Sequence, residues 1–400
     1  RARADVVVIG GGPTGVAAAA SACAAAGGSA GLDWPAARRA AAGATAATTR
    51  TPAALDGVEV VLGRARLAGP GTVEVDLPGA DGAGGPRRIA TRRVVLATGT
   101  VPALPDVTGL LDTRYRTPDT LLDLPDLPPS VAVVGAGRRG VALAQALARL
   151  GATVTLVESA PRLLPWLDED AAAVVETALR RDGVRLLVGS PVVTVAPTLD
   201  GGAWVGTEAG SDVAAGVLVM ATGRAPDFAG LDLPSAGVTL EVGGAVRVDD
   251  RLRTTTACVL AAGAVTGRRG GASMARTAGS NAVARLRPAR WTPAVTIVSV
   301  PAQPSVVVVG LTQAQAASRP GGAVVHELSG SAGLVRVVVT PGREPQVLGA
   351  TVVTPGAADA AAAVALVMSA GLPPQHLADV AVPGTALAAV AAALALPPRP

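Results

Sequence analysis

Lysine is absent from this chain of 400 residues; arginine carries all the basic charge, 34 residues against 30 acids. The net charge is only +4, although the isoelectric point reaches 10.2. The arginine pairs at 38–39, 87–88, 92–93 and 268–269 are scattered, which is the pattern of solvated surface and excludes a nucleic-acid face. Aromatic residues make up 2% of the chain, so its cores must be packed from Val, Leu and Ala. Cysteine occurs twice, at Cys23 and Cys258. Two isolated thiols exclude a C-x-x-C unit and a zinc site, and both read as small core residues. Nothing indicates an oxidising compartment, and a cytoplasmic location is expected. Histidine occurs only at His326 and His376, both expected at the surface. No Ser-His-Asp arrangement and no metal-ligand cluster is evident. Residues 6–32 carry no charge, but Gly10–Pro13 breaks the run after four strand residues. A leader peptide and a membrane span are therefore both rejected. The second uncharged run, 380–396, is interrupted by Pro383 and Gly384 and reads as a buried interface helix.

The glycines organise what is there. Val6–Ile9 is a continuous apolar run, the mark of a strand buried on both faces. Gly10, Gly12 and Gly15 follow as G-x-G-x-x-G, and Val16–Ala26 is a small-residue helix. The first glycine lets the chain turn, the second lets backbone approach a pyrophosphate, and the third lets helix and strand pack closely. The helix N-terminus favours phosphate. Asp33 lies 23 residues beyond Gly10, where a second strand presents an acid to a ribose hydroxyl. The same pattern returns at 131–158. Val131–Val134 is a strand, Gly135, Gly137 and Gly140 repeat the turn, and Val141–Leu150 is a helix. Val154–Val157 is the next strand and ends at Glu158, again 23 residues from the first glycine. Each copy has a later strand ending in Ala-Thr-Gly, at 97–99 and 221–223, offset by 87 and 86 residues. The chain thus holds two dinucleotide-binding units in tandem.

Between and after these units the pattern is weaker. Trp34–Thr51 reads as one helix and a connector; Val58–Val61 and Thr72–Val75 read as strands of a small antiparallel ribbon. Arg93–Leu96 is another buried strand, and Pro102–Pro129 an extended crossover. Arg247–Ala264 reads as strand-rich and Arg276–Leu286 as a helix. From Trp291 the character changes. Strands near 295–300, 305–309, 334–339 and 347–353 alternate with helices near 312–318, 357–370 and 385–396, the pattern of a separate α+β domain.

The two glycine units, the paired ATG strands and the C-terminal α+β domain resemble the pyridine nucleotide–disulfide oxidoreductases, the group of dihydrolipoyl dehydrogenase, glutathione reductase and mercuric reductase. The matching stretches include RRVVLATGTVPALPDVTG, SVAVVGAGRRG, ATVTLVESAPRLLP, VLVMATGRAPDF and VVVVGLTQAQA. The resemblance implies an α/β fold with two Rossmann-like FAD- and NAD(P)-binding domains of the three-layer ββα type, and a C-terminal α+β dimerisation domain. It implies an FAD domain over 1–128 and 225–288, an NAD(P)-like domain over 129–224, and a homodimer through 289–400. Carried over by position, Gly10, Gly12, Pro13, Thr14, Gly15, Asp33, Thr98, Gly99, Gly263 and Ala264 would line FAD. Gly135, Gly137, Gly140, Glu158 and Gly223 would line the nicotinamide nucleotide. The acid at 158 favours a free 2′-hydroxyl, hence NADH over NADPH.

The departures from the family are coordinated. The family's C-x4-C disulfide and the lysine close behind it are absent from the residues after Asp33, where several dozen residues of helix are missing. Ala142 stands where the family carries the glutamate that pairs with that lysine, and Arg138 where an aromatic residue usually gates the nicotinamide pocket. The Gly-Asp at the flavin ribityl chain becomes Gly263-Ala264. The C-terminal His-Pro-Thr-x-x-Glu becomes Val382-Pro383-Gly384-Thr385-Ala386-Leu387. Without the thiol pair, disulfide reduction by the family route is excluded. Loss of the His–Glu dyad removes a proton relay worth roughly 10²–10⁴ in rate. Loss of the ribityl carboxylate costs about 1–3 kcal/mol of FAD binding. The missing helices would open a cavity beside the flavin for a bulky apolar substrate, with Val382 and Leu387 as its far wall. Tyr115 and Asp112, in the crossover, are candidate donors; no other residue is assigned a catalytic role.

Three readings follow: a flavin-dependent oxidoreductase working without a disulfide, a repurposed non-redox catalyst such as a cyclase of secondary metabolism, and a non-catalytic binding or regulatory descendant. The first is favoured because the nucleotide turns survive.

Overall fold

The computed structural model describes residues 2–9, 34–35, 61–77, 85–268, 271–284, 287–292, 295–330 and 333–398. The described residues divide into two compact units. Strands and helices are numbered in chain order.

The first unit is built on β1 (Ala2–Ile9), β2 (Arg64–Leu67), β3 (Thr72–Asp76), β4 (Pro86–Leu96) and β15 (Val259–Ala261). Strand β4 is 11 residues long. One edge runs parallel to β1; the other is antiparallel to β3 over its first half and parallel to β15 over its last three residues. The antiparallel ribbon β2–β3–β4 places Glu74 opposite both Arg66 and Arg88, and the two guanidinium groups take one carboxylate oxygen each. The core joins Leu67, Val73 and Ile89 of the ribbon to Val94, Leu96 and Leu260 of the parallel strands. Helix α3 (Gly271–Val283) adds Met274 and Ala278 to the same core, as does Trp291. The unit also holds the short antiparallel pair β5 (Thr100–Pro102) and β14 (Arg224–Pro226). Residues 247–264 carry less strand than their composition suggests: only β15 and one isolated bridge, Arg253↔Leu260, form. The Asp249 side chain accepts from the amides of Arg251 and Arg253 and closes a turn there, and Thr254 and Thr256 close the next.

The second unit carries a parallel sheet in the order β6 (Tyr115–Arg116), β13 (Val217–Met220), β7 (Ser130–Val134), β8 (Thr153–Val157), β9 (Arg185–Leu187). Helix α1 (Arg138–Arg149) follows β7 and α2 (Glu169–Arg181) follows β8. Helix α2 has Glu169 and Asp170 in its first turn and Arg180 and Arg181 in its last, which complements the helix dipole at both ends. A three-stranded antiparallel sheet, β10 (Val192–Pro197), β11 (Ala203–Thr207) and β12 (Val213–Ala215), covers Leu110, Val134 and Leu218.

The same unit contains a five-stranded antiparallel sheet in the order β16 (Ile297–Val300), β17 (Val306–Gly310), β20 (Val347–Val353), β19 (Gly333–Val339), β18 (Val324–Gly330). Its helices are α4 (Gln313–Ala317), α5 (Ala357–Ala370), α6 (His376–Asp379) and α7 (Ala386–Ala395). The parallel sheet and the five-stranded sheet share one apolar core: Val131, Val133, Val141 and Leu147 pack in the same cluster as Val298, Val300, Val306 and Val308. Trp34 is buried in it and donates its indole N–H to Leu124 O at 3.1 Å. Gln145 of α1 pairs with the backbone of Gln303, accepting from its N–H at 2.7 Å and donating to its carbonyl at 2.8 Å. Arg336 of β19 is 2% exposed and bonds Asp168, Asp170 and Glu327. Burial alone would weaken its hold on the proton; the bonds to Asp170 and Glu327 outweigh that and raise it above the ordinary guanidinium range. Among the described residues no helix is long and apolar enough to cross a membrane.

Candidate functional site

Strand register brings the carboxyl ends of the parallel strands of each copy to one level. In the first unit Ile9 pairs with Leu96, and Leu96 with Ala261, so three adjacent parallel strands end at the same level. The carboxyl ends of parallel strands are where open α/β sheets bind ligands. Gly10, Gly12, Pro13, Thr14, Gly15 and Asp33 lie outside the described residues. Thr98 and Gly99 leave the end of β4. The Thr98 hydroxyl is buried with no hydrogen-bond partner among the described residues. Gly99 turns with φ +75°, and a Cβ there would have no atom within 4 Å. Gly263, beyond β15, has φ +83° and the same open space. Ala264 is exposed and opens a short 3-10 turn through Thr266. An unpaired buried hydroxyl beside open glycine faces fits a nucleotide cofactor.

The second copy is described in full. Val134 pairs with Met220 and with Val157, so β7, β13 and β8 also end together. Gly135 has φ +105°, and a Cβ there would lie 2.7 Å from Ala221 O. At Gly140 it would lie 1.8 Å from Gly135 O. Gly137, the N-cap of α1, has neither constraint: nothing lies within 4 Å of a Cβ. The turn therefore has a first glycine required by conformation, a third by packing, and a second that leaves room at a helix N-terminus. Open space at a helix N-terminus is a feature that suits an anion such as a phosphate. Gly223, beyond β13, turns with φ +117° and is also open.

Glu158 is half-buried at the end of β8. One carboxylate oxygen accepts from Ala136 N at 2.6 Å, inside the glycine turn; the other accepts from Ala160 N at 2.9 Å and the Ser159 hydroxyl at 3.1 Å. Arg138 is exposed at the first position of α1, and Arg139 reaches back to Asp119. The first turn of α1 thus carries two cations and no acid, against the helix dipole, and Asp119 offsets one of them.

The remaining candidates stand apart from these turns. Tyr115 is half-buried in β6, and Asp112 is exposed. His326 lies on β18 with Nδ1 2.9 Å from Leu396 O; His376 is exposed at the start of α6. Cys258 is a half-buried free thiol just before β15, and Cys23 lies outside the described residues. Val382 is 62% exposed, Leu387 is half-buried, and Thr385 caps α7 by accepting from Ala388 N at 3.2 Å. Among the described residues no group of His, Cys, Asp and Glu could hold a metal ion. Sequence reasoning missed the Arg336 cluster and the Arg224–Thr100 contact, because neither has a local signature.

Residues 4–295 match the family described as pyridine nucleotide-disulphide oxidoreductase. Curated relatives include a mercuric reductase of Bacillus cereus, 30% identical over 343 residues, covering 79% of this chain and 51% of the relative. A dihydrolipoyl dehydrogenase of Pseudomonas aeruginosa is 36% identical over 217 residues, covering 53% of this chain and 44% of the relative. The chain spans about half the length of the curated relatives it matches. Among solved structures, LpdA of Mycobacterium tuberculosis superposes with a TM-score of 0.79 at 25% identity, covering 98% of this chain and 99% of that one. The Cu(II) complex of RclA from Escherichia coli, titled an HOCl-induced flavoprotein disulfide reductase, has the same fold: TM-score 0.83 at 23% identity over 99% of both chains. The chain belongs to the pyridine nucleotide-disulphide oxidoreductase family.

Proposed function

We propose that this protein is an FAD-binding oxidoreductase that moves a hydride from NADH to a bulky, largely apolar small molecule without a thiol–disulfide relay. The observation that carries this reading is the common level at which the parallel strands end in each unit, with open glycine faces beyond them. Bound FAD supplies a two-electron carrier. In this reading Gly10, Gly12, Pro13, Thr14, Gly15 and Asp33 hold its adenosine and pyrophosphate, and Thr98, Gly99, Gly263 and Ala264 lie along the rest. Gly135, Gly137, Gly140, Glu158 and Gly223 hold NADH: the free N–H groups of α1 take the pyrophosphate, and the Glu158 carboxylate repels a 2′-phosphate. The domains follow as an FAD domain over 1–128 and 225–288, an NAD(P)-like domain over 129–224 and a dimerisation domain over 289–400. The absence of a cysteine pair and of the family's His–Glu dyad supports direct transfer from flavin to substrate. The exposed Leu366, Val380 and Val382 support a homodimer through the C-terminal domain.

A second reading has its own support. The core shared by β7, α1, β16 and β17 favours the second unit as a retained folding module that binds nothing. Anaerobic addition of NADH to the purified chain separates the two. Yellow protein bleached by NADH is the expected result. Yellow protein inert to NADH favours the folding module, and colourless protein that takes up no FAD overturns the proposal.

A further inference from the structure

The chain leaves the first sheet through Ala97-Thr98-Gly99 and passes at once into β5. That strand pairs antiparallel with β14 in the register Thr100↔Pro226, Val101↔Ala225, Pro102↔Arg224. Asp227 N donates to Gly99 O at 3.1 Å, which extends the ladder by one step. Bonded pairs alternate in an antiparallel ladder, so Gly99–Asp227 and Val101–Ala225 are the bonded positions. Pro226 falls between them and Pro102 one step beyond, both at non-bonded positions where no N–H is required. The Thr100 carbonyl consequently points away from the β14 backbone, and Arg224 takes it up. Its Nη2 donates to Thr100 O, and its Nε donates to Thr100 Oγ1 at 2.6 Å. The two residues are diagonal neighbours on one face of the pair. Two residues before Thr100 lies the Thr98 hydroxyl, buried without a partner among the described residues, and between them the open turn at Gly99. Strand β14 also packs beside the turn Ala264–Thr266.

We infer that Arg224 is a positioning residue for the flavin dinucleotide: its guanidinium, forked onto Thr100, fixes the Thr98–Gly99 turn in the shape that receives the cofactor. This rests on the FAD reading above. Thr100 is in direct contact with Arg224 and is part of the same device, so a variant at either residue tests it.

The experiment titrates FAD into the flavin-free full chain and follows quenching of flavin fluorescence, with the visible bands of the bound flavin and the melting temperature of the flavin-free protein as companions. Arg224→Ala is expected to weaken FAD about tenfold or more, and Thr100→Val about fivefold, the range for one lost charge-assisted contact. Thr100→Ser, which keeps the hydroxyl, is expected to bind like wild type. Both weakened variants are expected to shift the flavin bands while the flavin-free melting temperature stays put. Wild-type affinity and spectrum in Arg224→Ala and Thr100→Val overturn the assignment while leaving the FAD reading intact. Should Arg224→Ala fail to fold, the contrast between Thr100→Val and Thr100→Ser decides. A wild-type chain that takes up no FAD overturns the parent reading, and this one with it.

Discussion

Gly137 and Gly140 sit three residues apart in one turn and answer opposite demands. A methyl group at Gly140 meets Gly135 O at 1.8 Å, so the turn has to distort. Gly140→Ala is expected to destabilise the protein by about 1–3 kcal/mol, read as a shifted midpoint of chemical denaturation. A methyl group at Gly137 meets no protein atom. Gly137→Ala is expected to change stability by less than about 1 kcal/mol, the scale of one N-cap exchange, yet to abolish NADH binding in a calorimetric titration. Equal loss of stability in both variants would contradict the division of labour between the two glycines. Arg336 makes the corresponding case in the core. It is 2% exposed and faces Glu327 and Asp168, both nearly as buried. Arg336→Met leaves those carboxylates without their cation and is expected to cost about 3–5 kcal/mol in urea unfolding.

Elements here are joined by side chains as much as by backbone. Gln145 on α1 serves as a two-point clamp on Gln303, next to the start of β17. Gln145→Leu removes both of these bonds from the half-buried Gln303 backbone and is expected to cost about 1–3 kcal/mol. In the first unit the Asp249 turn ties the segment before β15. Burial alone would raise the Asp249 carboxyl, but the Arg253 amide, the Arg253 guanidinium and the Arg251 amide outweigh it and hold it below the ordinary range. A depressed folded value means that the stabilisation is present in full above the unfolded carboxyl range, about pH 4, and is lost as pH falls through the folded value. Asp249→Asn is therefore expected to lower the melting temperature at pH 7 and to flatten its fall on acidification below pH ~4. An acid limb identical to wild type would contradict this. Elements with a local signature were legible in the sequence: β7, β8 and the second half of β1 are short apolar runs before glycine or acid, and α1 follows a glycine turn as an unbroken small and apolar stretch, Val141–Ala144. Strand β18 was not, because His326, Glu327 and Ser329 interrupt its apolar pattern, and Glu327 turns inward only because Arg336 lies opposite it. Residues 247–264 were misleading for the converse reason: the β-favouring Thr254 and Thr256 are spent there on side-chain turns.

At the scale of the whole molecule, the second glycine unit and the α+β region were readable because Gly135 and Gly140 answer local constraints that their neighbours in the fold create. What joins them was not readable. Arg336 and Asp168 are 168 residues apart, and Arg224 and Thr100 are 124 apart. No periodicity announces such pairs; only the topology brings them together. The proposed loss of the sulfur relay rests on the sequence: Cys23 and Cys258 form no C-x4-C pair. The exposed Val380 and Val382 carry the expectation for assembly. Light scattering is expected to give a dimer, and Val380→Asp with Val382→Asp to shift it toward monomer.

The central claim is that a nucleotide-holding frame persists here without the sulfur relay. An anaerobic reductive titration of the FAD-loaded chain tests it most directly. The account predicts that each flavin takes up two electrons and that no long-wavelength thiolate-to-flavin charge-transfer band develops. Uptake of four electrons per flavin, with that band at the halfway point, would contradict it.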